Sequence, residues 1–148
     1  VLGRGHYHWV LALSDSGLST PKIYAELDRM RANGRVPKLV PSASMMTALR
    51  SGDAASLGRA LNNDLQPAAL SLQPRLEEVL RTGMEIGALG GIVSGSGPTV
   101  AFLVPDNERG LDLAVALTAS GVSPAVKRAV GPVRGAHIVT GPVAPRSS

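Results

Sequence analysis

At 148 residues and 15.2 kDa the chain has the size of one domain, able to bury one core but not two. Its 44% hydrophobic and 18% charged residues exclude a disordered or fibrous polypeptide, and the absence of cysteine excludes disulfides, thiolate zinc sites and a cysteine nucleophile. The net charge of +4 is scattered along the chain and aromatics are only 3%, too few for a base-stacking platform, so a mildly basic surface that faces anionic small molecules or nothing in particular is expected in place of a nucleic-acid site.

The run 6–13 is aromatic and β-compatible and ends at the turn-rich Ser14-Asp15-Ser16-Gly17, which predicts a first strand. Thr20 as N-cap and Pro21 at the first helical position open a helix to about residue 32, with Ile23, Leu27 and Met30 as its apolar stripe. After a proline-bounded segment at 36–41, shorter helices are expected at 42–50, 53–61 and 64–72. A longer one follows at 74–86, with Leu76, Val79 and Leu80 on one face. Two apolar β-prone runs, 90–94 and 99–104, flank Gly95-Ser96-Gly97-Pro98 and read as a hairpin. Asp106 caps a helix to about 119 with Leu111, Val115 and Leu117 or Thr118 turned inward, and Gly121 ends it. A fourth strand is expected at 124–130 and a short fifth fits 136–139.

This order predicts an α+β, ferredoxin-like split βαβ domain over 1–139. It has a four-stranded antiparallel sheet, helices on one face and an enlarged helical first crossover, with a flexible tail at 140–148. No apolar run approaches the roughly 20 residues of a membrane span, and a cysteine-free chain fits the cytoplasm. The opening at Val1, with a strand close behind, points to a piece of a longer polypeptide.

Six glycines (Gly83, Gly87, Gly90, Gly91, Gly95, Gly97) fall within fifteen residues. In Ser94-Gly95-Ser96-Gly97-Pro98-Thr99 the alternating small residues permit positive φ and can aim backbone N–H groups at an anion beside two hydroxyls. A plain tight hairpin accounts for the same residues, and the residues alone leave both readings open. Neither the P-loop pattern nor the dinucleotide fingerprint occurs. His6 and His8 share a strand face but have no third ligand near in sequence, and no metal site is expected. Neither Ser94 nor Ser96 sits in a hydrolase elbow. Glu77 and Glu78 point to different helix bearings, Met45-Met46 reads as packing material, and Asn62-Asn63-Asp64 reads as a helix start capped by Asn63 or Asp64.

The stretch 94–99, preceded by Gly87-Ala88-Leu89-Gly90-Gly91, resembles the third motif of the GHMP small-molecule kinases. Three further stretches agree in order and spacing with one branch of that superfamily, the 4-diphosphocytidyl-2-C-methylerythritol kinases. They are His8-Trp9-Val10-Leu11, Leu18-Ser19-Thr20-Pro21-Lys22-Ile23-Tyr24 and Asn63-Asp64-Leu65-Gln66. The likeness covers about residues 5–139 and is to the C-terminal half. It implies transfer of the γ-phosphoryl group of ATP, with Mg²⁺, to the 2-hydroxyl of a cytidine-diphosphate-linked methylerythritol in the non-mevalonate route to isoprenoids.

It further implies a cleft shared with the chain's own N-terminal domain, which carries the catalytic aspartate and lysine and most of the ATP and Mg²⁺ contacts. No catalytic residue is then expected here, and this half alone should be inactive. By the same likeness Gly95, Ser96 and Gly97 line the phosphate side, Thr20 places the methylerythritol end, and Tyr24 stacks on cytosine. Helix capping by Thr20 and core packing by Tyr24 are the plainer alternatives. The rival from another class is a stand-alone ferredoxin-like ligand-binding or regulatory module. An RNA-binding sheet is disfavoured, because the third strand offers only Phe102 as an aromatic.

Overall fold

The aromatic, β-branched opening run forms β1 (Tyr7–Leu13), which ends at the Ser-Asp-Ser turn, and the computed structural model describes residues 4–34, 36, 42–136 and 138. The crossover holds five helices: α1 (Thr20–Ala32), α2 (Ala43–Ser51), α3 (Ala54–Ala60), α4 (Gln66–Leu72) and α5 (Arg75–Ile86). The hairpin β2 (Gly90–Val93) and β3 (Val100–Val104) follows, then α6 (Asn107–Ser120) and β4 (Ala125–Gly131). The strands lie in the order β2-β3-β1-β4, every neighbouring pair antiparallel. This is the split βαβ arrangement, with β1 between β3 (Val10↔Phe102) and β4 (Val10↔Arg128).

The period of two along β1 and β3 divides the core. Val10, Ala12, Val100, Phe102 and Val104 face α1, α4, α5 and α6, where Ile23, Leu27, Leu76, Val79, Leu113 and Leu117 complete the main cluster. The opposite face is not left open, and here the expectation of helices on one face is refined. Tyr7, Trp9 and Leu103 project from it, and α2 and α3 cover them with Ala48 and Leu57. All five residues of β3 are buried, and a strand that is apolar on both faces needs cover on both. The enlarged crossover supplies it.

Close approaches explain much of the glycine cluster. Phe102, the chain's single phenylalanine, is fully buried, and a Cβ on Gly83 or Gly91 would run into its ring. A Cβ on Gly58 would meet the Leu89 carbonyl, and one on Gly90 would meet the Gly58 backbone, so α3 crosses β2 nearly backbone to backbone.

The side chains of Ser42, Asp53 and Asp106 cap α2, α3 and α6. At Asp53 the hydroxyl and amide of Ser56 hold the carboxyl below its ordinary value. Helix α6 departs from the sequence reading. Its inner face is Gly110, Leu113 and Leu117, while Leu111 and Val115 are 49% and 61% exposed. On this face Gly110 packs over Val104 and Val10, and Leu113 and Leu117 join the main cluster. No helix among the described residues is long and apolar enough to cross a membrane. The fifth strand at 136–139, the proline-bounded segment 36–41 and the tail 140–148 lie wholly or largely outside the described residues.

Candidate functional site

The β2–β3 hairpin closes through a turn in which the Gly97 amide donates to the Ser94 carbonyl at 2.9 Å and the Ser94 amide to the Thr99 carbonyl at 2.8 Å. Gly95 and Gly97 take φ of 58° and 80°, the left-handed region in which a Cβ is costly, so both glycines are required by the backbone. A Cβ on Gly97 would also come within 3.1 Å of Val93 and 3.2 Å of Leu18. The amides of Gly95 and Ser96 make no backbone hydrogen bond among the described residues, whereas that of Gly97 is engaged inside the turn. The turn thus presents two amides, Gly95 and Ser96, beside the hydroxyl of Ser96.

Helix α1 brings the second segment. Its N-cap is Ser19, making no side-chain capping bond, and Thr20 is already helical. Thr20 is therefore not the cap. Its hydroxyl instead meets the Ser96 hydroxyl at 2.9 Å across 76 residues of sequence. Tyr24 lies four residues on, so it shares a helix face with Thr20, and its side chain is 53% exposed while Ile23 and Leu27 are buried. Core packing of Tyr24 is not what the fold does with it. Thr20, Ser96 and the two turn glycines come together at one end of the sheet, with Tyr24 one helical turn away.

Two hollows flank this turn. One of about 220 Å³ lies toward the main helical layer, lined by Ser14, Ser16, Gln73, Arg75 and Pro98 among others. The other, about 460 Å³, lies on the opposite face between Trp9, Asn63, Ile92 and Gly95.

The sequence reading missed two side chains that close the edge of β2, one of which also holds the turn. Asn63 does not cap α4, whose N-cap is Leu65. Its side-chain Nδ2 donates to the carbonyls of Val93 and Gly95, both at 2.7 Å, while its Oδ1 accepts the Leu65 amide at 3.1 Å. The Gln66 Oε1 accepts the Val93 amide at 2.9 Å. One signal was available: Asn62-Asn63-Asp64 offers three capping side chains where one helix needs one.

The remaining candidates stay apart. The rings of His6 and His8 lie 6.5 Å apart, and among the described residues no group of three His, Asp or Glu side chains could hold a metal. Glu77 and Glu78 are exposed in the first turn of α5, Met45 packs against the second cluster, and Met46 is exposed.

Residues 45–123 match the family of GHMP kinase C-terminal domains. The 4-diphosphocytidyl-2-C-methyl-D-erythritol kinase of Mycolicibacterium smegmatis is 52% identical over 146 residues, covering 97% of this chain. The enzyme of the same name from Rhodococcus jostii is 52% identical over 139 residues, covering 94%. The chain spans 45% of the length of each of these relatives. Among solved structures, a 4-(cytidine 5'-diphospho)-2C-methyl-D-erythritol kinase superposes with a TM-score of 0.68 at 24% identity, over 87% of this chain and 44% of that one. Leishmania major mevalonate kinase in complex with R-mevalonate gives 0.68 at 18%, over 86% and 43%. At these identities the structures speak to the fold.

Proposed function

The chain belongs to the family of GHMP kinase C-terminal domains, and on that footing we propose that it forms the substrate side of the cleft in a 4-diphosphocytidyl-2-C-methylerythritol kinase of the isoprenoid route. The observation that carries the reading is the hydroxyl contact of Thr20 with Ser96, which joins two motifs far apart in sequence at one site. Relatives at 52% identity bear the name of that kinase.

When bound, ATP supplies the phosphoryl group, its terminal P–O bond breaking with departure of ADP as the 2-hydroxyl oxygen bonds to phosphorus and the hydroxyl proton passes to a base in the other half. The residues here position and stabilise. The amides of Gly95 and Ser96 donate to phosphate oxygens, where preorganised donors are most effective. Gly97 keeps the turn in its left-handed shape, Thr20 orients the methylerythritol end, and Tyr24 offers a ring to cytosine. The amide N–H groups of the turn fit phosphate oxygens, and among the described residues no group of three His, Asp or Glu side chains could hold a metal, so Mg²⁺ is assigned to the N-terminal domain. That domain is the partner across the cleft, and the working compartment is the cytoplasm.

A coupled ADP-release assay tests this. The full-length kinase turns over the cytidine-linked substrate with Mg²⁺-ATP, and the 148-residue chain by itself does not. Turnover by the chain alone would place catalytic groups within it. A full-length protein that binds the substrate without turning it over would favour the ligand-binding module.

A further inference from the structure

The stretch Asn63-Asp64-Leu65-Gln66 is not absorbed by the roles above, and its geometry is specific. β2 is an edge strand, and at Val93 its outward N–H and C=O have no neighbouring strand to pair with. Gln66 accepts the Val93 amide and Asn63 donates to the Val93 carbonyl, so two side-chain amides, one from the α3–α4 connection and one from the first residue of α4, replace one residue of a missing strand. Asn63 then uses its second donor hydrogen on the Gly95 carbonyl, which fills its donor capacity.

That second bond reaches into the turn. The Gly95 carbonyl and the Ser96 amide belong to one planar trans peptide and point in opposite directions. Holding the carbonyl toward Asn63 therefore aims the Ser96 N–H away from it. The flanking glycine makes this peptide easy to rotate, and the bond removes that freedom. We infer that Asn63 is a positioning residue that fixes the Gly95–Ser96 peptide so that the Ser96 amide faces the transferring phosphate. The inference rests on the reading that the turn receives phosphate. Asn63 acts through the turn, without touching substrate.

The test is Asn63→Asp in the full-length kinase, with Gln66→Ala as companion. Aspartate keeps the acceptor for Leu65 but sets a carboxylate oxygen against two carbonyls, so the 95–96 peptide turns. Loss of an aimed donor in the transition state predicts a fall in kcat of about 100-fold, with the KM for the cytidine substrate little changed. Gln66→Ala lowers the melting temperature and leaves kcat close to wild type, since it removes only the Val93 bond. In protein labelled with ¹⁵N-serine, pyrophosphate should shift the Ser96 amide resonance in the wild type and not in Asn63→Asp. A wild-type kcat in Asn63→Asp, or kcat losses in the two variants that simply track their melting temperatures, overturns the positioning role. So does a Ser96 resonance that responds to pyrophosphate equally in both. If the wild type proves inactive on the cytidine substrate while pyrophosphate still shifts Ser96 only when Asn63 is intact, the kinase reading fails and the positioning role stands.

Discussion

β2 and β4 are both edge strands of one sheet, yet their exposed edges are treated differently. The β2 edge is closed by side-chain amides of Asn63 and Gln66, backed by the glycine contact of α3, and it leads into a turn of fixed geometry. The β4 edge is mostly exposed, with Lys127 and Arg128 in mid-strand, the usual charged guard against pairing with another chain. One edge is built for precision and the other for solubility. Function should therefore be brittle at the turn into which β2 leads and tolerant on the β4 side.

The sharpest way to break this comparison is Gly97→Val. With φ at 80° and Val93 within 3.1 Å of the added Cβ, the turn must deform, at a local cost on the order of 1–2 kcal/mol. Activity of the full-length kinase should fall far more than its melting temperature, as steady-state rates and thermal denaturation would reveal. Equal losses in both would reduce the turn to a structural hairpin.

Next in size is Tyr24→Ala, which removes a half-exposed ring on the Thr20 face of α1. Base stacking on an aromatic is worth roughly 1–3 kcal/mol, so the KM for the cytidine substrate should rise about tenfold or more, with the KM for ATP unmoved. Tyr24→Phe should behave as wild type in the same titrations, because the ring carries the effect.

A smaller effect is expected at the cap of α3, the helix that presses on β2. Hydrogen bonds from Ser56 depress the Asp53 pKa in the folded state, so its contribution is fully present above the unfolded carboxylate value and is lost as pH falls through the folded one. Thermal unfolding followed down to acid pH should show the wild type losing stability faster than Asp53→Asn, which keeps the capping oxygen without the charge. Identical acid profiles would remove the charge from the account. Smallest of all is Lys127→Ala on the β4 edge, expected to change stability by no more than about 0.5 kcal/mol and to leave the kinetics alone. A large kinetic effect there would mean that the open edge is a working surface after all.

What the sequence makes legible is what repeats. The strands of the hairpin, the stripe of Ile23 and Leu27 and the caps Asp53 and Asp106 follow from period and local chemistry, and the ferredoxin-like order follows from their succession. Helix α6 defeats this reasoning because it carries two apolar stripes, and the one that faces the sheet, Gly110, Leu113 and Leu117, is chosen by packing against the strands and not by local pattern. The second sheet face is hidden for a related reason: Tyr7, Trp9 and Leu103 become partners of α2 and α3 only once the crossover has folded back. Asn63 is the hardest to read. Its bonds reach 30 and 32 residues along the chain and leave no periodic trace, so a local rule assigns it to the nearest helix.

Trp9 is the single tryptophan of the chain, and it lines the same hollow as Asn63 and Gly95. Its indole emission in the isolated chain therefore comes from one place, the wall of a hollow that Gly95 also lines. A molecule settling into that hollow would change the polarity around the indole and shift the emission. The fold thus carries its own optical label, set beside the segment whose occupancy one would most want to follow.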